Sequence, residues 1–179
     1  MCLEGYQARL THEPGGTPVG EAIRRWLKRR QGLTPLTELF LFSSARAQLV
    51  ADVIRPSLQD ATTVICDRFT PSTVAYQGYG RGLDLALIQL VNQVASEGLS
   101  PDLTVFLDLP AEVGLARKYG TAADTFDLAP LEFHRRVREG YLQQAQQHSH
   151  RWLILDATRP RQALAQEIWA RVQPLLQKR

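Results

Sequence analysis

Apolar and polar positions along this chain switch repeatedly between a two-residue and a helical period. Gln7 to Thr11 predicts a short strand, stopped by His12-Glu13-Pro14-Gly15-Gly16. From Pro18 to Arg30, Val19, Ile23, Trp26 and Leu27 recur at helical spacing. Pro35 to about Val53 predicts a second helix, with Leu36, Leu39, Phe40, Ser43 and Ala47 turned inward; Pro56 opens a turn or helical extension. Thr62 to Cys66 is apolar and β-branched, the composition of a central strand buried on both faces. Leu83 to Glu97 predicts an amphipathic helix entered through Asp84, and Leu103 to Leu109 another buried strand closed by Pro110. A helix starts over residues 111–118, breaks from Tyr119 to Pro130 and resumes from Leu131 to His148. Trp152 to Leu155 is a last strand, and Arg161 to Gln177 a last helix. Strands alternating with helices, without repeats or long linkers, predict one α/β domain over residues 1–179 built on a parallel sheet.

Composition narrows this picture. With 44% hydrophobic and 22% charged residues, the chain is ordinary for a globular domain, which excludes collagen-like, disulfide-dense and wholly disordered classes. The formal charge is +3, and only Lys28, Lys118 and Lys178 are lysines, so the basic character is arginine. Guanidinium groups suit phosphate and carboxylate recognition, and the excess is too small to indicate nucleic-acid binding. A pocket for an anionic small molecule fits better. Cys2 and Cys66 form no framework and no metal-ligand spacing, which points to a reduced, cytoplasmic setting. No apolar run approaches the roughly 20 residues of a membrane span, so no membrane association is expected.

The polar residues of interest gather where strands end: Glu13, Asp67-Arg68, Asp108 and Asp156. Ligands of open parallel sheets bind beyond those carboxyl ends, so a site is expected there. Each acid by itself is also a common turn former or helix cap.

Four segments carry a more specific signal. They are Thr11-His12-Glu13-Pro14-Gly15-Gly16-Thr17-Pro18, then 39–48 (LFLFSSARAQ), then Cys66-Asp67-Arg68-Phe69, and 72–82 (STVAYQGYGRG). In order and spacing they resemble the bacterial thymidylate kinases, and the likeness runs from about Gly5 to the last helix. The resemblance implies a three-layer sandwich with a P-loop NTPase-like parallel sheet flanked by helices. It further implies transfer of the ATP γ-phosphoryl group to dTMP with Mg²⁺, and a homodimer formed through helices packed face to face. By the same resemblance Phe42 stacks on thymine, Arg46 reaches the base edge, and Thr73 and Gln77 lie near the base. Ser72 adds a hydroxyl to the base-edge set, and Tyr76 stands against the deoxyribose. Arg24 and Arg68 clamp the acceptor phosphate, and Pro14 with its glycines lets the backbone approach it. Glu13 and Asp67 organise Mg²⁺ or its waters. Residues 117–130 form a lid carrying Arg117, Lys118 and Asp124, and Asp156, Ala157 and Thr158 lie beside the adenine. Gly78, Gly80 and Gly82 follow no strand and are read as a flexible loop.

The sequence also departs from that pattern. It contains no G-x-x-x-x-G-K-[ST] segment, and no lysine follows a glycine. The resemblance puts the family's first strand, phosphate loop and most of its first helix before Met1. The 179 residues are therefore expected to carry the acceptor side, with little or no phosphoryl transfer by themselves. A silent binding protein or interaction module is the alternative. His12 stands where the family has Arg, and Asp124-Thr125-Phe126-Asp127 lacks the arginine of the family's lid.

Overall fold

The computed structural model of the chain describes residues 2–3, 5–29, 32–117, 126 and 128–177. The strands are β1 (Cys2–Leu3), β2 (Tyr6–His12), β3 (Thr63–Asp67), β4 (Thr104–Asp108) and β5 (Trp152–Asp156). The helices are α1 (Pro18–Arg29), α2 (Pro35–Leu49), α3 (Arg55–Gln59), α4 (Thr70–Thr73), α5 (Leu85–Ala95), α6 (Ala111–Ala116), α7 (Leu131–Gln147) and α8 (Arg161–Leu176). Two π-helical stretches, Val50–Ile54 and Val74–Gly80, join α2 to α3 and follow α4.

The α/β class matches the sequence pattern, but the sheet is divided. Among the described residues β1, β2 and β3 form one sheet, and β4 and β5 form another. β2 runs parallel to β3 in a register from Ala8↔Thr63 to His12↔Asp67, and β4 parallel to β5 from Thr104↔Trp152 to Asp108↔Asp156. β1 adds an antiparallel edge, Cys2 opposite Gln7, which the sequence pattern did not predict. The expectation that β3 is central and buried on both faces is also corrected. Its Val64 and Cys66 pack on the core of Leu49, Val50, Val53, Ile54 and Phe69, while Ile65 is 40% exposed. Leu10, paired with Ile65 on the same face, is 66% exposed, and Leu107 of β4 is 50% exposed.

Local chemistry sets the helix ends. Thr34 caps α2 by accepting from Thr37 N, with Pro35 at the first turn, and Asp84 caps α5 by accepting from Leu87 N at 2.8 Å. Two of the three glycines in segment 72–82, Gly78 and Gly80, behave differently from the flexible loop expected of them. Gly78 and Gly80 are buried in the π-helical turn. A Cβ on Gly80 would sit 2.6 Å from Phe133 Cε2, and one on Gly140 of α7 would sit 2.7 Å from Tyr79 Cδ2. These glycines let the π-helical turn and α7 approach closely around Ala75, Phe133 and Val137. Gly78 and Gly80 are packed core, whereas Gly82 is exposed at a φ of 79° with open space around it.

Candidate active site

One cavity of about 910 Å³ opens at the carboxyl ends of β3 and β4. Glu13, Pro14, Arg24, Phe42, Arg46, Asp67, Arg68, Ser72, Thr73, Tyr76 and Gln77 all line it. The turns after β2 and β3, β3 itself, α1, α2, α4 and the second π-helical stretch therefore deliver these residues, all singled out in the sequence, to one hollow. Asp156, Ala157 and Thr158, expected beside the adenine, lie elsewhere, at the end of β5. There Asp156 accepts from Thr158 N (2.9 Å) and Oγ1 (2.7 Å), Ala157 N donates to Asp108 O, and Arg117 Nη1 donates to Ala157 O. The Thr158 bonds, backbone first, hold the Asp156 carboxyl below its ordinary pKa. Lys118 and Asp124 lie outside the described residues.

The closed end of the cavity is polar. Arg46 is 1% exposed, and Glu13, Thr73 and Gln77 are also buried. Arg46 Nε lies 2.9 and 3.1 Å from the two Glu13 oxygens, and Nη2 donates to Glu13 Oε2 at 2.7 Å. Nη2 also donates to Thr73 Oγ1 at 2.9 Å, and Nη1 to Asn92 Oδ1 at 2.6 Å. The Phe69 ring covers one guanidinium face, 5.3 Å from Cζ to centroid. Burial pushes the Glu13 pKa up, and Arg46 works against that. Both Glu13 oxygens are taken up by Arg46.

A second buried carboxylate, Glu38, accepts from Arg81 (2.9 and 3.1 Å) and from Gln77 Nε2 (3.3 Å). Because a carboxylate only accepts, the Gln77 amide presents nitrogen to Glu38 and turns its carbonyl oxygen away. The Arg81 guanidinium lies over the Phe133 ring at 4.8 Å. Phe42 and Tyr76 stand 5.9 and 5.8 Å from the Phe126 ring, forming an aromatic wall.

The other end is cationic and open. Arg24 Nη1 donates to Pro14 O, and Arg68 Nη2 lies 3.3 Å from the Tyr76 hydroxyl with its Cζ 4.9 Å from that ring. Arg68 has a φ of 70°, a conformation few non-glycine residues adopt, directly after β3 and before the extended Phe69. Burial works against the Arg68 charge, and the Tyr76 and Tyr141 hydroxyls and Asp67 outweigh it, so its pKa is raised. Arg138 of α7 reaches Asp108 with two bonds of 2.7 and 2.8 Å, and Tyr141 donates to Ser72 Oγ at 2.8 Å. Ser72 and Thr73 are thus engaged from outside their own turn. Arg138, Tyr141, Phe126 and Asn92 were not among the residues the sequence singled out. Asn92 had only a weak signal, as one of three polar residues in the otherwise apolar LALIQLVNQVA.

Beneath Arg68, Cys66 Sγ lies 3.0 Å from Arg68 O. Burial, assisted by Glu13 and Asp67 against Arg46, pushes this thiol from 9.0 to about 12. The unfolded chain loses the proton first, so the resulting stabilisation is complete below an ordinary thiol pKa and is lost as pH rises through the folded value. Urea midpoints are expected to fall from about pH 8 to about pH 10, and to fall less in Cys66→Ala. Equal slopes in the two proteins would exclude Cys66 as the source.

A family model described as thymidylate kinase matches residues 1–168. The chain belongs to the thymidylate kinase family. It is 48% identical over 176 residues to a thymidylate kinase of Thermomicrobium roseum, covering 97% of this chain and 84% of that protein. It is 46% identical over 170 residues to one of Deinococcus radiodurans, covering 94% and 82%. A crystal structure of the Ehrlichia chaffeensis thymidylate kinase superposes with a TM-score of 0.77 at 33% identity, covering 93% of this chain and 81% of that one. The chain is a phosphotransferase by family, with the P-loop NTPase-like α/β fold. Nothing in these comparisons favours a silent binding protein or interaction module.

Proposed function

We propose that this chain binds dTMP in the 910 Å³ cavity and transfers the γ-phosphoryl group of ATP to it, giving dTDP. The observation that carries this reading is the meeting of Phe42, Arg46, Arg68, Thr73, Tyr76 and Gln77 in one hollow, polar and buried at one end and cationic at the other. A neutral base edge suits the buried end, where a hydroxyl, a guanidinium and an oriented amide are already fixed. Thr73 accepts from Arg46, so its own hydrogen is left to donate. A phosphate dianion suits the open end, where Arg24 and Arg68 supply fixed positive charge. Phe42 and Tyr76 offer flat faces to base and sugar.

The family implies Mg²⁺, and the donors present fit it in part. Glu13 is engaged by Arg46 through both oxygens, whereas Asp67 is exposed at the cavity edge. No group of three His, Cys, Asp or Glu among the described residues forms a ready-made site. Asp67 would therefore be the protein carboxylate that holds the ion. When bound, Mg²⁺ supplies charge neutralisation on the transferring phosphate. The chain's own residues do the remaining work: Arg46 and Thr73 hold the base, Arg24 and Arg68 hold and neutralise the acceptor phosphate, and Tyr76 fixes the sugar between them. Positioning and electrostatics account for such a transfer, with no covalent intermediate. Arg117 and the 156–158 turn form the donor-side approach.

A second copy completes the proposal. Phe40 of α2, contrary to the inward position its spacing predicts, and Leu90 and Val94 of α5 are more than half exposed on two helices that pack side by side. A homodimer through this face buries them. No helix among the described residues is long and apolar enough to cross a membrane.

Calorimetric titration with dTMP and a coupled assay of ADP release test the reading together. Saturable dTMP binding with dTMP-dependent ADP release is expected, because the relatives matched over most of their length are thymidylate kinases. This replaces the little or no transfer read from the lack of a G-x-x-x-x-G-K-[ST] segment. Binding without ADP release would confine the chain to the acceptor step, and absence of dTMP binding would overturn the assignment.

A further inference from the structure

Asn92 sits in the last turn of α5, a helix whose other residues are mostly apolar, and is buried. Burying an amide is unfavourable unless both its ends are bonded. Here both are. Oδ1 accepts from Arg46 Nη1 at 2.6 Å, and Nδ2 lies 3.3 Å from Thr70 O. The two bonds fix the amide's orientation, since one partner only donates and the other only accepts.

The consequence falls on Arg46. A guanidinium has five N–H groups, and bonds to described residues engage four of them through Glu13, Thr73 and Asn92. The remaining N–H belongs to Nη1, the nitrogen that Asn92 holds. Glu13 anchors the Nε edge, but Nη1 is held by Asn92 alone among the described residues. Thr70, the other partner, opens the turn that carries Ser72 and Thr73. One side chain thus ties the direction of the spare Arg46 N–H to the hydroxyls beside it.

We propose that Asn92 is a positioning residue for pyrimidine recognition: it aims the spare Arg46 N–H at the carbonyl oxygen on carbon 4 of the base. This rests on Arg46 reading the base edge of dTMP. Asn92 lies outside the cavity lining and acts through Arg46. The selectivity it supports is for a 4-oxo over a 4-amino pyrimidine, because a donor facing an amino group gains nothing.

The test measures dTMP and 5-methyl-dCMP affinities by calorimetry in the full chain, for wild type, Asn92→Leu and Asn92→Asp. Wild type binds dTMP in preference to 5-methyl-dCMP; absence of dTMP binding here would overturn the underlying site assignment and the proposal with it. Asn92→Leu, nearly isosteric, weakens dTMP binding about tenfold, leaves 5-methyl-dCMP binding nearly unchanged and so narrows the preference by a similar factor. Asn92→Asp keeps an oxygen for Nη1 but sets its second oxygen against Thr70 O, so it loses less dTMP affinity than Asn92→Leu and keeps the preference over 5-methyl-dCMP. Where Asn92→Leu does not fold, Asn92→Ala replaces it, with the same expectation. Wild-type binding with an unchanged preference in the folded variant overturns the proposal while leaving the site assignment intact. An equal loss for both nucleotides, or an equal loss in Asn92→Asp, also overturns it, since either would mark a general structural role.

Discussion

Replacing Arg46 with methionine is expected to destabilise the chain by about 3–5 kcal/mol and to abolish measurable dTMP binding. The side chain is nearly inaccessible, and its removal strands three buried polar partners at once: Glu13, Thr73 and Asn92. The dominant penalty is the uncompensated Glu13 carboxylate, whose pKa burial already raises. Adding Glu13→Gln to Arg46→Met is therefore expected to recover part of the stability, because a neutral amide costs less to bury than an unpaired charge. Urea unfolding of the single and double variants measures this coupling. A double variant as unstable as the sum of the two single ones would show that the pair contributes no more than its members do separately.

Removing the Arg68 guanidinium is expected to weaken dTMP binding about 100-fold, the loss of one or two charge-assisted bonds to phosphate. The choice of substitution matters. At a φ of 70° alanine meets the left-handed penalty and glycine does not. Arg68→Gly is thus expected to be more stable than Arg68→Ala by about 1 kcal/mol, while the two lose affinity alike. Calorimetry and thermal unfolding separate the effects. Wild-type affinity in either variant would remove Arg68 from the phosphate clamp.

The strands and long helices were legible because their periods are strong, and the boundaries of α1, α7 and α8 fall within a residue of those expected. Pairing of the acceptor-side candidates was legible because strand ends and motif order put them at one edge. The segment after α4 was not. Three glycines within five residues read locally as a loop, whereas Gly78 and Gly80 are small because Ile88, Leu85 and Phe133 crowd them. The widened turn also brings the consecutive Tyr76 and Gln77 to the same cavity, which ordinary helical spacing does not suggest. Asn92 and Glu38 escaped notice for another reason. Their partners are 46 and 43 residues away in sequence, and such pairings exist only once the helices pack. Glu13 was singled out by type as a metal-side acid, and packing sets both its oxygens against Arg46, a pairing 33 residues apart that no local pattern shows.

The division of the sheet has a practical corollary. β3 and β4 each pair on one side only, among the described residues, and each carries a half-bare aliphatic residue, Ile65 and Leu107. Extended peptides add readily to such rims, whereas a formal charge of +3 offers little mutual repulsion. Concentrated preparations would then clump by backbone ladder formation at these rims, and dilution or a short capping peptide would keep them clear more effectively than a change of salt.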